Sequence, residues 1–391
     1  MKSALISGLV ALACAVGSGA TQAAPLRVGF MGPMTGPLGI TGQEMRRGFD
    51  LALEHLNGRI GGLETVVSYA NDQASPSTAV AELSRLVERE GVSIVVGVAA
   101  SNVAMSIVQP AAKADVTLLL AHAGPNELAG KECATNVFAI GHQNEQFGAA
   151  MGRYIKDANL QKLYAMSLDY QGGREMVDAV EYGFGKPLMA KTFTPMSQVD
   201  FAPELARVRA AQPDGLFVFY PGSAAVAFVR QYAGTGMSKQ VPLFAVGAVT
   251  DSLVIKAQGD AALGVISANT WNSGIHNPQN DRFTADFKAK NGGREPTTFS
   301  AQAYDTVMYL DAALRQTKGD QKPEVLRAAL RDNKEFKSIR GPFKLNTNQF
   351  PIQNMVIQRV EKNESGGYVQ KILTVVKSVG DRFAEECPLN R

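Results

Sequence analysis

Short β-branched runs alternating with amphipathic stretches of helical length are the feature that most constrains this chain, because strands buried on both faces need crossover helices to join them in parallel. The pattern occurs twice. In the first half the strand-like runs are Leu26–Met31, Glu64–Ala70, Ser93–Gly97 and Val116–Ala121, with helices over Gly42–Asn57, Ser77–Glu90 and Asn102–Ala114. The first of these helices puts Met45, Phe49, Ala52, Leu53 and Leu56 on one face. The second half repeats the scheme with Lys162–Leu168, Pro187–Thr192, Gly215–Tyr220, Val241–Val246 and Gly264–Thr270, separated by helices near 143–158, 171–184, 200–211, 223–235 and 251–257. Two open parallel sheets of this kind make two Rossmann-like α/β lobes.

Past Trp271 the alternation stops. Three helices follow one another, at about 279–290, 299–317 and 322–332, and then a strand pair, Asn354–Val360 and Tyr368–Val376. Helices without strands of their own must cover an existing sheet, and the first lobe is the one short of helices. The expected division is therefore 25–141 with 272–341 in an N-terminal lobe, 142–271 with 342–376 in a C-terminal lobe, and 377–391 as a tail. No Pro- or Ser-rich linker separates the lobes, so short crossings should form a hinge.

Residues 1–23 read as an export signal: Lys2 is the positive start, Ala4 to Val16 an apolar stretch too short to span a bilayer, and Thr21-Gln22-Ala23 a small-residue cleavage site. Cys14 only faintly resembles a lipidation site, since Ala11 stands where a larger aliphatic residue is expected. Export leaves two of the three cysteines, Cys133 and Cys387, and an oxidising compartment favours a disulfide between them over two buried thiols. A formal net charge of +3 over 391 residues gives no electrostatic case for a nucleic-acid partner, and no later segment is long and apolar enough for stable membrane insertion.

Catalytic raw material is sparse, with four histidines in the whole chain. His-Glu-x-x-His, Cys-x-x-Cys, a P-loop and a Gly-x-Gly-x-x-Gly after a strand are all missing, so zinc, thiol-redox and nucleotide cofactors have no foothold and none is expected. Ser101, His122 and Asp169 are the obvious nucleophile, base and orienting acid, but the serine is not on a Gly-x-Ser-x-Gly elbow and the three belong to different lobes. An enzyme is not expected.

One further pattern runs the length of the chain. Gly32-Pro33-Met34-Thr35-Gly36-Pro37 follows the first strand, Gly42-Gln43-Glu44-Met45 with Gly48 opens the next helix, and Asn57-Gly58, Gly61-Gly62 and Asn71-Asp72 come after. Val95-Val96-Gly97, Asp169-Tyr170, Ser300-Ala301-Gln302-Ala303-Tyr304-Asp305 and Gly341-Pro342-Phe343 complete it. In order and spacing this resembles the type I periplasmic solute-binding proteins of ABC importers, in the Leu/Ile/Val-binding branch. The resemblance implies a monomeric, two-lobed Venus-flytrap in the periplasm that captures a small molecule and presents it to the transmembrane subunits of a permease. A ligand sensor of the same fold, serving a signalling partner, is the alternative.

In open parallel sheets ligands bind beyond the carboxyl ends of the strands. Ser101 and Asn102 stand there at a helix start, where hydroxyl, amide and free backbone N–H groups suit an anion, and serine there is equally an ordinary N-cap. The resemblance places the ligand carboxylate at Ser101, a backbone contact at Ala123 and a covering aromatic at Tyr170. His122, Tyr220 and Trp271 also lie at strand ends, and core packing is the rival reading for each aromatic.

Two departures from the family pattern bear on the ligand. Gly247, in Phe244-Ala245-Val246-Gly247-Ala248, stands where amino-acid-binding members carry an acid for the ligand ammonium, and Pro125 replaces a threonine that helps hold the carboxylate. An unpartnered buried ammonium costs several kcal/mol, so the expected ligand is an aromatic or aliphatic carboxylate without the amine. A branched-chain or other amino acid, or an amide, is the alternative, and an amino acid would need Asp169, Asp251 or Glu127 as the substitute acid.

Overall fold

The computed structural model describes residues 24–36 and 38–390. The leader read over 1–23, with Lys2 and Cys14, lies outside the described residues, as does Pro37.

In chain order the first half supplies β1 (Leu26–Gly32), α1 (Gly39–His55), β2 (Arg59–Ile60), β3 (Leu63–Asn71), α2 (Pro76–Glu88), β4 (Ile94–Gly97), α3 (Ser101–Lys113), β5 (Thr117–Leu120), α4 (Asn126–Ala129) and β6 (Val137–Ala139). The six strands form one sheet in the order β2-β3-β1-β4-β5-β6, parallel except for the β2–β3 hairpin. Next come α5 (Asn144–Asp157), β7 (Leu163–Leu168), α6 (Gln171–Phe184), β8 (Ala190–Thr194), α7 (Ala202–Ala211), β9 (Gly215–Phe219), α8 (Ser223–Gly234), β10 (Leu243–Val246), α9 (Ser252–Gln258) and β11 (Ile266–Asn269). The chain closes with α10 (Pro278–Lys290), α11 (Thr298–Gln316), α12 (Pro323–Arg331), β12 (Phe343–Leu345), β13 (Pro351–Lys362) and β14 (Tyr368–Val379). The second sheet runs β12-β13-β11-β10-β9-β7-β8, with β14 paired to β13. Its β7 to β11 core is parallel, and β12, β13 and β14 join antiparallel.

Alternation along each buried strand decides what covers which face. Val28, Phe30, Ile94 and Val96 share a core with Phe283, Phe287, Phe299, Leu310 and Leu326, so α10, α11 and α12 pack on the first sheet. Met31, Val95, Leu118 and Leu120 face the opposite way, onto Leu83, Leu86, Val103 and Ile107 of α2 and α3. The second sheet is covered in the same manner, by Met151, Val177 and Phe184 of α5 and α6 on one face and Leu205, Phe228 and Tyr232 of α7 and α8 on the other.

A Cβ at Gly48 would lie 1.9 Å from the Ser300 carbonyl oxygen, so this glycine lets α1 and α11 touch backbone to backbone. Ala100, not Asn102's neighbour Ser101, is the N-cap of α3, and Ser101 is already the first helical residue. α11 is started by a reciprocal cap, in which Thr297 and Ser300 side chains each accept from the other's backbone N–H.

The chain passes between the sheets after β6, after β11 and after α12, and a fourth passage follows β14. There the tail returns to the first sheet, where Phe383 packs on its core and Cys387 is bonded to Cys133.

Candidate functional site

Between the sheets lies a small cavity, about 470 Å³ when all the space not filled by atoms is counted, the part open to solvent included. The first sheet contributes Ser101 beyond β4 and His122 and Ala123 beyond β5; the first crossing contributes His142 and Asn144. From the second lobe come Phe147, Tyr170, Met176 and Phe219. Val246, Ala248 and Asn269 close the floor, and Thr298 and Phe299 enter from the start of α11.

The walls are aromatic. Tyr170 and Phe219 stand 6.2 Å apart with rings inclined at 32°, while His122 meets Phe299 edge-on at 4.8 Å and His142 meets Phe147 at 4.6 Å. Tyr170 fits because its neighbour Gly172 has no side chain: a Cβ there would stand 3.0 Å from the phenol ring.

Polar groups concentrate at the Ser101 end. The Asn144 amide donates to Ser101 Oγ at 2.9 Å and to Glu175 Oε2 at 2.6 Å, and Gln302 reaches both His122 and His142. The first-turn N–H groups of α3 have no intrahelical acceptor, which favours an anion at this point. Ala123 also lines the cavity, but its N–H is committed to the Val98 carbonyl at 3.0 Å. Burial pushes the His122 imidazole down to about 4, against a raising contribution from Gln302, and His142 well below its ordinary value.

Four residues singled out from the sequence do not line the cavity. Asn102 is the second residue of α3 and is partly exposed. Tyr220 is enclosed, stacked on Phe228 at 4.8 Å with its hydroxyl accepting from Thr194. Trp271 belongs to the first-sheet core, edge-on to Phe283, with its indole N–H donating to Asn280 Oδ1 at 2.7 Å. Gly247 lies under the Asn269 carboxamide, whose carbon would be 2.4 Å from a Cβ placed there. Asn269 thus occupies the space that an acidic side chain would need.

None of the three substitute acids reaches the cavity either. Asp169 is on the surface, paired with Arg174 at 2.6 Å, and Glu127 accepts from Gln171 at 2.5 Å. Asp251 is buried, caps α9 through the Leu253 N–H and accepts from the Thr298 N–H of α11 at 3.2 Å.

The lobes are shut. Asn269 and Thr298 hydrogen-bond across the cleft, and so do two buried acids of the second lobe. Asp251 meets the Thr298 N–H, and Glu175 accepts from the Asn126 N–H of α4 at 3.2 Å. Burial raises both carboxyls, Asp251 to about 7 and Glu175 to about 8, the latter helped by Glu127 across the cleft.

A profile of the periplasmic binding proteins matches residues 25–367. The chain belongs to that family. This periplasmic binding protein is similar to Leu/Ile/Val-binding protein homolog 6 of Brucella melitensis, 25% identical over 97% of this chain and 98% of the relative. Among solved structures it is similar to a solute-binding protein of an ABC transporter from R. palustris in complex with benzoate, with TM-score 0.86 and 28% identity over 93% of this chain and 100% of that one. A Rhodopseudomonas palustris BisB5 solute-binding protein, solved with 3,4-dihydroxybenzoic acid, matches with TM-score 0.85 and 25% identity over 92% and 99% of the two chains. A leucine-binding protein from Thermotoga maritima shares the fold at 19% identity and TM-score 0.79. The binding protein is therefore a type I periplasmic solute-binding protein.

Proposed function

We propose that this binding protein captures an aromatic carboxylate between its lobes, divided near 141, 271 and 341, and that the shut complex is what an ABC permease receives. The observation that carries the reading is a cleft with an anion-holding end at Ser101, aromatic walls, and Asn269 over Gly247 where an ammonium partner would stand. Similarity to solute-binding proteins solved with benzoate and 3,4-dihydroxybenzoic acid supports it. Capture needs no chemistry: closing buries the ligand, and the permease distinguishes shut from open by the placement of lobe surfaces.

Calorimetry with matched pairs isolates the amine. Phenylpropanoate should bind at least tenfold more tightly than phenylalanine, and a branched keto acid more tightly than leucine, because desolvating an unpaired ammonium is costly. Tighter binding of the amino acids would overturn the reading. Ser101→Ala should weaken benzoate roughly ten- to hundredfold, the worth of one charge-assisted hydrogen bond, while leaving the melting temperature nearly unchanged. An unaltered Kd would remove Ser101 from the site.

Closure should also weaken as pH rises. Between the ordinary carboxyl value and about 7 to 8, the shut form holds protons on Asp251 and Glu175 that the open, solvated form has released. Each pH unit in that window then costs closure at most about 1.4 kcal/mol per acid. The groups beside Glu175 are Glu127, Lys131, Glu132, Arg174, Asp178, Arg382 and Glu386, and those beside Asp251 are Glu44 and Arg294. Above about pH 7 the two cleft histidines are neutral in both forms and benzoate stays ionised, so its Kd measured between about pH 7 and 9 should rise and then level off. A flat profile would mean that neither acid takes part in closure.

A further inference from the structure

One backbone carbonyl sets the direction of the hydrogen bonds around the cavity. The Gly141 carbonyl can only accept, so the Gln302 side-chain nitrogen, 3.3 Å away, must face it; the same nitrogen lies 2.9 Å from the Thr270 hydroxyl. The Gln302 oxygen is thereby turned to His122 Nδ1 at 2.7 Å, and that nitrogen must carry the hydrogen. Since burial holds the ring down at about 4, His122 is neutral near pH 7 and its Nε2 bears a lone pair. Nε2 makes no hydrogen bond among the described residues, and His122 lines the cavity.

The other branch of the relay ends in the opposite sense. This end is set by Asn144: its nitrogen donates to Glu175 Oε2, so its Oδ1 faces His142 Nε2 at 3.2 Å, which carries the hydrogen and leaves His142 Nδ1 among the three acceptors that share the two Gln302 N–H groups. The Asn144 nitrogen in turn donates to Ser101 Oγ, which leaves the Ser101 hydroxyl hydrogen free for the cavity. From the ends of neighbouring strands β4 and β5, the same wall therefore offers a donor at Ser101 and an acceptor at His122.

We propose that the cleft selects aromatic carboxylates that also carry a ring hydroxyl, with Ser101 and the first turn of α3 holding the carboxylate and His122 Nε2 accepting the hydroxyl hydrogen. The proposal rests on the aromatic-carboxylate reading of the site. A site built to accept a hydrogen bond penalises a ligand that leaves the acceptor buried and unpaired. A carboxylate set against Nε2 would meet a lone pair, and would bind there only if the ring took up a proton.

The test is calorimetry on the wild-type protein with benzoate, the three hydroxybenzoate isomers and the matching fluorobenzoates, which have no hydrogen to donate, in two buffers of different ionisation enthalpy. At least one hydroxybenzoate should bind tenfold or more tightly than both benzoate and its fluoro counterpart, with the same net proton uptake in the wild type as in His122→Phe, since closure itself protonates Asp251 and Glu175. In His122→Phe the ratio between that isomer and its fluoro counterpart should collapse to near one. Equal affinity for benzoate and every hydroxy isomer, or a benzoate-linked proton uptake about one proton larger in the wild type than in His122→Phe, would overturn the assignment of His122 while leaving the aromatic-carboxylate reading in place. Failure of all these acids to bind would overturn both.

Discussion

Cutting Arg340 back to alanine should destabilise the folded protein by about 3–5 kcal/mol, the usual penalty for leaving one member of a buried ion pair behind. Arg340 and Asp305 are essentially inaccessible, at 1% and 0% side-chain exposure, with Nε 2.7 Å from Oδ2. The guanidinium also donates to the carbonyls of Ile140 and Gly141 and to Gln353 Oε1, while Asp305 accepts from Ser338 and from the Ile339 N–H. One side chain thus ties α11 to the crossing after β6 and to β13. Exposed pairs such as Arg46 with Asp50, nearly half accessible on both sides, contribute little by comparison. The urea midpoint of Arg340→Ala is the measurement, and a loss below about 1 kcal/mol would show that the pair is dispensable. Replacing both residues by apolar ones of similar volume should recover much of the loss, since no unpaired charge remains.

Serine at both Cys133 and Cys387 should cost a comparable amount, roughly 3–5 kcal/mol, through a different state of the chain. The bond joins residues 254 apart in sequence, so it removes a large share of the conformations open to the unfolded protein. In the folded protein the tail is held by other contacts as well. Arg382 pairs with Glu145 at 2.7 Å, Asp381 accepts from Asn348, and Phe383 packs near Gly130. The double serine variant should therefore keep its fold and lose urea resistance, with the unreduced, denatured wild type showing no thiol from this pair. An unchanged urea midpoint would rule out a stabilising role for the bond.

The alternation of buried strands and one-sided helices was legible because each element is long enough to show its period; β2, β6 and β12, at two or three residues, carry none. The cavity was legible where it is built from strand ends, as at Ser101, His122, Ala123 and Tyr170. His142 and Asn144 carry no such mark in the sequence because they stand on a crossing, nor do Thr298 and Phe299, because α11 returns to the cleft from far along the chain. Tyr220 and Trp271 show the opposite failure. An aromatic residue at a strand end looks the same in sequence whether it faces a ligand or a core.

The stacking of Asn269 on Gly247 constrains how such a cleft can change its diet. Even a methyl group at position 247 would collide with the carboxamide at 2.4 Å, so an acid introduced there first would disrupt the floor before it could greet an ammonium. Shrinking Asn269 first opens the space but removes its hydrogen bonds with Thr298 across the cleft. The step from an amine-free ligand to an amino acid is therefore not one substitution but two in a fixed order, through an intermediate that closes less firmly on either ligand. Lineages that separated at these two positions would find the way back as hard as the way out.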